Sequence, residues 1–386
     1  MTTKRVFIFF LLIVLSFVGF AQNELIIKGL IIDNNTGEPL IFVNIGIEGT
    51  ITGTASNASG KFELRIPEEL QQKTLYFSAI GYENRSIAVQ QFVAQNMQTV
   101  ALAPLTYGIE DIEISTSSRV LYRIVRDAAR AVNEQFVAQA FQFSVLYSNE
   151  TYKNNVLQTK RDMVVSVSDA TGYGQKQNAH QAINYQFVNV KRNFEIEGLN
   201  DGTTLFDDIL SFDIARNPGN VLDTAYLNEY DLELLNESTI DSDSVWVIAY
   251  QLSKPQLSRT FDYAATLVKG KLFISKADMA VLKAEAQVKC AQQSPLGRSI
   301  APNPVSALSH VDYNYITSYK KGEKGYLVDH IALSKTYQKT DGSTGRTASS
   351  LLVIGQQYNK PVLHSKRQYF EKMISDPDFW EKAKNN

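Results

Sequence analysis

Hydrophobic and polar positions alternate with a period of two along most of this chain, and a few stretches with helical spacing interrupt them. From Glu24 to Leu105 the alternating runs are short and punctuated by turns. Leu25, Ile27 and Ile31 open a strand that stops at Asp33-Asn34-Asn35-Thr36-Gly37, a turn cluster. Phe42, Asn44 and Gly46 alternate with Val43, Ile45 and Ile47, and Asn57 to Gly60 makes a second turn. Phe62, Leu64 and Ile66 alternate with Lys61, Glu63 and Arg65 until Pro67 ends the strand. Leu75, Phe77 and Ala79 run up to Gly81, and Val100 and Leu102 close the series. Gly37 and Gly60 are free to take positive φ. Short strands at regular spacing with turns between them predict a sandwich or a barrel.

Ala103 to Ser118 reads as a connector that could add an edge strand through Ile109, Ile112 and Ile114, and its serines and threonine offer N-caps. A helix follows over Arg119 to Glu134, with Leu121, Ile124, Val125, Ala128 and Val132 on one face. Arg119, Arg123, Arg126 and Arg130 fall on another face, as a basic stripe that is either solvated or available to an anion-rich partner. From Phe141 the period of two returns. Phe141, Phe143, Val145 and Tyr147 alternate, and Val165 and Val167 continue the theme. Leu205 to Ile214 fits a short helix. Tyr230 to Leu235 and Val245 to Tyr250 flank the turn Asp241-Ser242-Asp243. Thr266 to Ile274 is expected to turn through Gly270, and Val311 to Tyr319 pairs with Tyr326 to Tyr337 over a Lys/Gly turn. Lys366 to Ile374 reads as helical, and Asp376-Pro377 caps a further helix that docks Phe379 and Trp380.

The first region also carries a resemblance. Gly29-x3-Asp33-x2-Thr36-Gly37-Glu38-Pro39-Leu40, Val43-Asn44-Ile45, Gly49-Thr50, Gly53-Thr54, Gly60-x-Phe62-x-Leu64 and Phe77-Ser78-x-Ile80-Gly81-Tyr82 resemble the carboxypeptidase regulatory-like family in order and spacing. Asn57 stands where that family usually has Asp, and it serves a turn equally well. The resemblance implies a transthyretin-like β-sandwich and a non-catalytic accessory module, of which similar copies precede outer-membrane receptors and other envelope proteins. The arginine-bearing helix, the strand after it and the C-terminal tail resemble, more loosely, envelope proteins in which this module precedes a domain of unknown function. That second resemblance implies no known activity.

The N-terminus sets the compartment. Lys4 and Arg5 precede the apolar run Val6 to Phe20, and Gly19 and Ala21 place small residues before Gln22, as in a cleaved secretory signal peptide. No cysteine follows the run to carry a lipid anchor, and no later stretch approaches the length of about 20 apolar residues that a spanning helix needs. The net charge of −2 does not suit nucleic acid.

Candidate chemistry is sparse. Cys290 is the only cysteine and continues the apolar alternation Leu282, Ala284, Ala286 and Val288, as a buried structural thiol would. His180, His310, His330 and His364 have no zinc-ligand spacing. Ser318-x-x-Lys321 has the letters of a penicillin-binding nucleophile but lies at a strand end. Glu110 with Asp111, and Asp207 with Asp208, are adjacent carboxylates without a recognisable cleft.

The expected architecture is mainly β: an N-terminal transthyretin-like β-sandwich followed by an α+β domain with a large antiparallel meander sheet. The expected division is a signal peptide at 1–21, the sandwich at 22–105, a linker at 106–118 and the second domain at 119–386. The expected role is a non-catalytic binding or assembly protein of the periplasm, outer membrane or cell surface, with no cofactor. Its partner would be an envelope protein, a glycan or a lipid headgroup, met in part through Arg119, Arg123, Arg126 and Arg130. Two alternatives are a periplasmic carrier of an apolar ligand in a half-barrel and a hydrolase with an unrecognised site.

Overall fold

The computed structural model describes residues 25–35, 37–40, 43–47, 53–56, 60–79, 82, 85–93, 98–103, 119–154, 156–174, 182–192, 205–240, 243–292, 298–299, 308–339 and 342–368. The expected signal segment, the linker at 106–118 and the helix docking Phe379 and Trp380 lie outside them. The chain forms two compact units, divided between Pro104 and Leu105.

The first unit contains β1 (Leu25–Asp33), β2 (Asn44–Ile47), β3 (Gly53–Ala55), β4 (Lys61–Ile66), β5 (Thr74–Ser78), β6 (Arg85–Ala88), the short helix α1 (Val89–Val93) and β7 (Gln98–Leu102). They make two sheets, ordered β4-β1-β7 and β3-β2-β5-β6. β1 pairs with β7 in parallel, and the other pairings are antiparallel. Alternation explains why the sheets pack. Phe62, Leu64 and Ile66 of β4 are buried while Lys61, Glu63 and Arg65 face out. Val43, Ile45, Ile47, Leu75 and Phe77 answer them from the other sheet. The Phe62 and Phe77 rings meet edge to face at 5.8 Å, one from each sheet. Gly60 enters β4 at φ 72°, where a Cβ would stand 2.7 Å from the Ile31 carbonyl oxygen.

The second unit contains α2 (Arg119–Gln135), β8 (Phe141–Lys153), β9 (Val156–Asp169), β10 (Ile183–Arg192), α3 (Leu205–Leu210), β11 (Asp231–Ile240), β12 (Asp243–Leu252), α4 (Leu257–Thr260), β13 (Ala265–Ser275), β14 (Val281–Cys290), β15 (Leu308–Gly322), β16 (Gly325–Lys339) and β17 (Thr344–Gln357). Its strands form one ten-stranded antiparallel sheet, ordered β10-β9-β8-β17-β16-β15-β14-β13-β12-β11. β11 to β16 are a continuous meander. β17 joins it to the first three strands, pairing with β16 on one side and β8 on the other.

The inner face of this sheet is apolar and aromatic, and the chain covers it with its own residues. Phe206, Ile209, Phe212, Ile214, Val221 and Leu227, from the segment 205–230, are buried against it. Phe206 packs on Tyr147 and Tyr185 at ring separations of 5.1 and 4.7 Å, and Phe212 on Tyr313 and Tyr315 at 5.7 and 4.9 Å. The segment therefore reaches from β8 and β10 across to β15.

Several expectations are corrected. β13 runs straight through Gly270 instead of turning there. Gly270 is required by close approach: a Cβ would meet the Glu285 carbonyl and stand 2.6 Å from the Tyr250 ring. The hairpin turn between β15 and β16 is reduced to Glu323 and Lys324, because Lys320, Lys321 and Gly322 pair with Leu327, Tyr326 and Gly325. The helix expected from Lys366 has not begun by Gln368, where the chain instead runs beside β10. There the Arg367 Nε donates to the Ile183 carbonyl and the Gln368 amide to the Tyr185 carbonyl. The helix in 205–214 stops at Leu210. β10 and β17 were not anticipated at all.

Candidate functional site

The arginine stripe lies on α2. Leu121, Val125, Ala128, Ala129, Ala131 and Val132 are buried, so the helix has one committed apolar face. Tyr122 fixes its rotation by donating its hydroxyl to the Tyr230 carbonyl at 2.8 Å. Arg119, Arg123, Arg126 and Arg130 are consequently all exposed. Arg130 pairs with Asp127 at 3.0 Å, one turn back. Arg119, Arg123 and Arg126 make no ion pair among the described residues. Repulsion within such a row is weak in water. Val120 beside them is half exposed, as are Leu234 and Leu235 on β11, the strand α2 packs against. The stripe is therefore an open cationic surface beside exposed aliphatic side chains.

The other candidates separate. Asp207 and Asp208, adjacent in sequence, are drawn into two different ion pairs, Asp207 with Arg367 at 2.8 Å and Asp208 with buried Lys335 at 2.6 Å. Burial pushes the Asp208 carboxyl upward, and Lys335 and Arg298 oppose that shift. Cys290 is buried on the inner face of β14, and burial raises its thiol far above the range of a nucleophile. Ser318 and Lys321 lie within β15. His310 pairs with Asp312 at 2.9 Å, His330 is half-buried on β16, and His364 bonds the Ser166 hydroxyl at 3.0 Å. Among the described residues no group of three His, Cys, Asp or Glu side chains could hold a metal ion.

The polar groups that do converge were not anticipated. The Asp213 carboxylate accepts the Tyr173 hydroxyl at 2.7 Å and the Tyr319 hydroxyl at 2.9 Å, and the Tyr319 oxygen accepts the Ala215 amide. Arg216 pairs with Asp169, and its guanidinium lies 4.6 Å from the centre of the Tyr173 ring. Burial raises the Asp213 carboxyl, against the pull of Arg216 and both tyrosines. These residues are scattered along the chain, so no local spacing could have found them. The one sequence signal is the row of tyrosines at inward positions of β15: Tyr313, Tyr315 and Tyr319.

Residues 27–112 match the model of the CarboxypepD_reg-like domain. The matched stretch takes in nearly all the described strands of the first unit. Over 77 residues the chain is 38% identical to the TonB-dependent receptor SusC of Bacteroides thetaiotaomicron, a stretch that covers 20% of this chain and 7% of that receptor. The chain also resembles solved structures at low identity. A LolA superfamily protein from Nitrosomonas europaea is 12% identical with a TM-score of 0.25, over 64% of this chain and 96% of that one. The lipoprotein LppX of Mycobacterium tuberculosis is 9% identical with a TM-score of 0.22, over 64% and 99%. At those scores neither adds to the description of the sheet. No helix among the described residues is long and apolar enough to cross a membrane.

Proposed function

We propose that this protein is a non-catalytic binding or assembly component of the cell envelope. In this reading the CarboxypepD_reg-like domain is an accessory module, and the second unit offers α2 to an anionic partner. The observation that carries the proposal is the stretch shared with a TonB-dependent receptor, taken together with the match to the CarboxypepD_reg-like domain. The basic order of Lys4 and Arg5, apolar run and small residues supports export. The filled inner face supports a surface-acting protein, because an apolar carrier would need Phe206, Ile209 and Phe212 to leave the sheet.

The partner face is Arg119, Arg123 and Arg126, whose planar guanidinium groups suit phosphate or carboxylate. Fractionation of native envelopes with N-terminal mass spectrometry tests the location. Mature protein should begin at Gln22, and retention of Met1 would remove the export argument. Replacing Arg119, Arg123 and Arg126 with Gln should weaken envelope association several-fold and make it less sensitive to salt, since exposed charges are screened over about 8 Å at physiological ionic strength. Unchanged association with the fold intact would leave the stripe as a solvated face.

A further inference from the structure

The second unit also encloses a small polar cleft on its inner face. Its walls are Gly219 to Val221 of the covering segment, Thr260 of α4 and the inward side chains Tyr250, Val268, Val288, Tyr313 and Tyr315 of β12 to β15. Tyr230, Arg259 and Arg298 complete it. The space is about 10 Å³, enough for one water-sized group. Every lining residue is buried except Arg259, which marks the opening. Arg259 is held there by Glu229 at 2.6 and 3.0 Å and lies over the Tyr226 ring at 4.0 Å.

Arg298 is the unusual member. It is 5% exposed and has no carboxylate within ion-pair distance among the described residues. Its terminal nitrogens donate at 3.0 Å to the carbonyls of Gly219 and Ser211, and its Nε has no hydrogen-bond partner among the described residues. The nearby acids are committed elsewhere: Asp208 to Lys335, and Asp262 to the amides of Ser299 and Ala264. A buried cation without an acidic partner is costly, and an anion in reach would offset that cost.

The hydroxyls around the cleft have capacity to spare. The Tyr230 hydroxyl reaches the Arg259 carbonyl only at 3.4 Å, and the Tyr250 hydroxyl reaches the Glu285 carbonyl at 3.3 Å, both long for O–H donors. Beside the opening Phe261 is held at φ 51°, ψ 32°, a left-handed conformation that a bulky residue adopts only under constraint. Its ring lies 5.9 Å from the Arg298 guanidinium and covers Gly219, where a Cβ would have 2.5 Å of room. Backbone strain, loosely bonded hydroxyls and a cation without an acid thus meet at one small space.

We propose that this cleft binds a small monovalent anion, of chloride to formate size, between Arg298 and the hydroxyls of Tyr230 and Tyr250, admitted past Arg259. The site stands apart from the envelope reading and survives its failure. Thermal unfolding followed by tryptophan fluorescence, with sodium chloride, formate, acetate or phosphate added at constant ionic strength, tests it. Chloride and formate should raise the Tm of the second unit saturably, acetate less, and phosphate not at all. Chloride-35 line width should broaden with the full-length protein and narrow when formate is added. Tyr250→Phe, which keeps the ring against Gly270, should weaken binding about tenfold, and Arg298→Gln should abolish it. If Arg298→Gln does not fold, Tyr230→Phe with Tyr250→Phe carries the test. The proposal is overturned by no saturable response to either small anion, as for a cleft that holds water only. It is equally overturned by a response that the tyrosine variants share with the wild type or by one that follows total charge and not ion size.

Discussion

The two units bury their cores in opposite ways. In the first, two sheets each present an apolar face and cover one another, so the core is Ile, Val, Leu and Phe with few buried polar groups. Ser56 is one exception, and it serves the backbone, accepting the Val43 amide at 2.9 Å and donating to the Leu40 carbonyl at 2.7 Å. In the second unit a single sheet has no second sheet to close its inner face, and the segment 205–230 lies across it largely as turns. Irregular backbone placed in a core brings amides and carbonyls that need partners. The sheet and the turn between β14 and β15 supply them: Thr317 of β15 bonds the Phe212 carbonyl, Arg298 of the turn the Ser211 and Gly219 carbonyls, and Tyr319 of β15 the Ala215 amide. The tyrosines and buried charges of the second core follow from what covers it. A regular cover permits a dry core, whereas an irregular one requires polar side chains beneath it.

The contrast can be broken first at its largest effects. Phe77→Ala removes a ring packed against Phe62 and Phe92 and should cost the first unit about 3–5 kcal/mol. Both tryptophans, Trp246 and Trp380, lie outside that unit, so the loss should show in far-ultraviolet circular dichroism and leave tryptophan fluorescence unmoved. A matching fluorescence shift would mean that the units unfold together. Asp213→Ala strands two buried tyrosine hydroxyls and should cost the second unit about 2–4 kcal/mol, seen by fluorescence. Loss below about 1 kcal/mol would show that the polar contacts do not hold the covering segment.

Two glycines sharpen the same comparison at smaller scale. Gly60→Ala should destabilise the first unit by about 1–2 kcal/mol, through its positive φ and the nearby Ile31 carbonyl. Gly270→Ala acts in the second unit without a positive φ, by pressing a Cβ on both the Glu285 carbonyl and the Tyr250 ring, and Tyr250→Ala in the same chain should relieve part of it. Failure of that relief would place the strain against the Glu285 carbonyl instead.

The smallest effect concerns pH. The first unit has no histidine, while burial, with the Lys283 charge beside it, lowers His330 of the second unit to about 4. The unfolded chain then binds a proton that the folded one refuses between about 4 and the ordinary 6.5. His330 therefore contributes stability above pH 6.5 that is lost as pH falls toward 4. The difference between wild type and His330→Gln isolates this slope from the carboxylates, and parallel curves for the two proteins would contradict it.

Much of the first unit was legible because each strand announces itself: Phe62, Leu64 and Ile66 alternate with charges, and Gly60 marks the turn before them. The helix bearing Arg119 to Arg130 was legible for the same reason, since its apolar spacing leaves one direction for the arginines. β17 was not, because Ser349, Ser350 and the Gln356-Gln357 end blur the alternation of a strand buried on one side only. Gly270 misled because a glycine kept for close approach has the same letter as a glycine kept for a turn. Asp213 with Tyr173 and Tyr319, and Arg298 with Tyr230 and Tyr250, were invisible because these partners stand 40 to 106 residues apart and obey no local period.

The position of β17 has a consequence for the order of assembly. β8 and β9 can pair as soon as they exist, and so can β11 to β16, but nothing binds these two groups into one sheet until residues 344–357 slot between β8 and β16. That event closes a loop of nearly two hundred residues, from Glu150 to Ala348, and non-local closure of this kind is slow. Until then both β8 and β16 present open edges, which invite pairing with other chains. A nascent chain halted before Thr344 would thus hold two half-sheets and no route to one, and its natural failure would be to join with another such chain edge to edge.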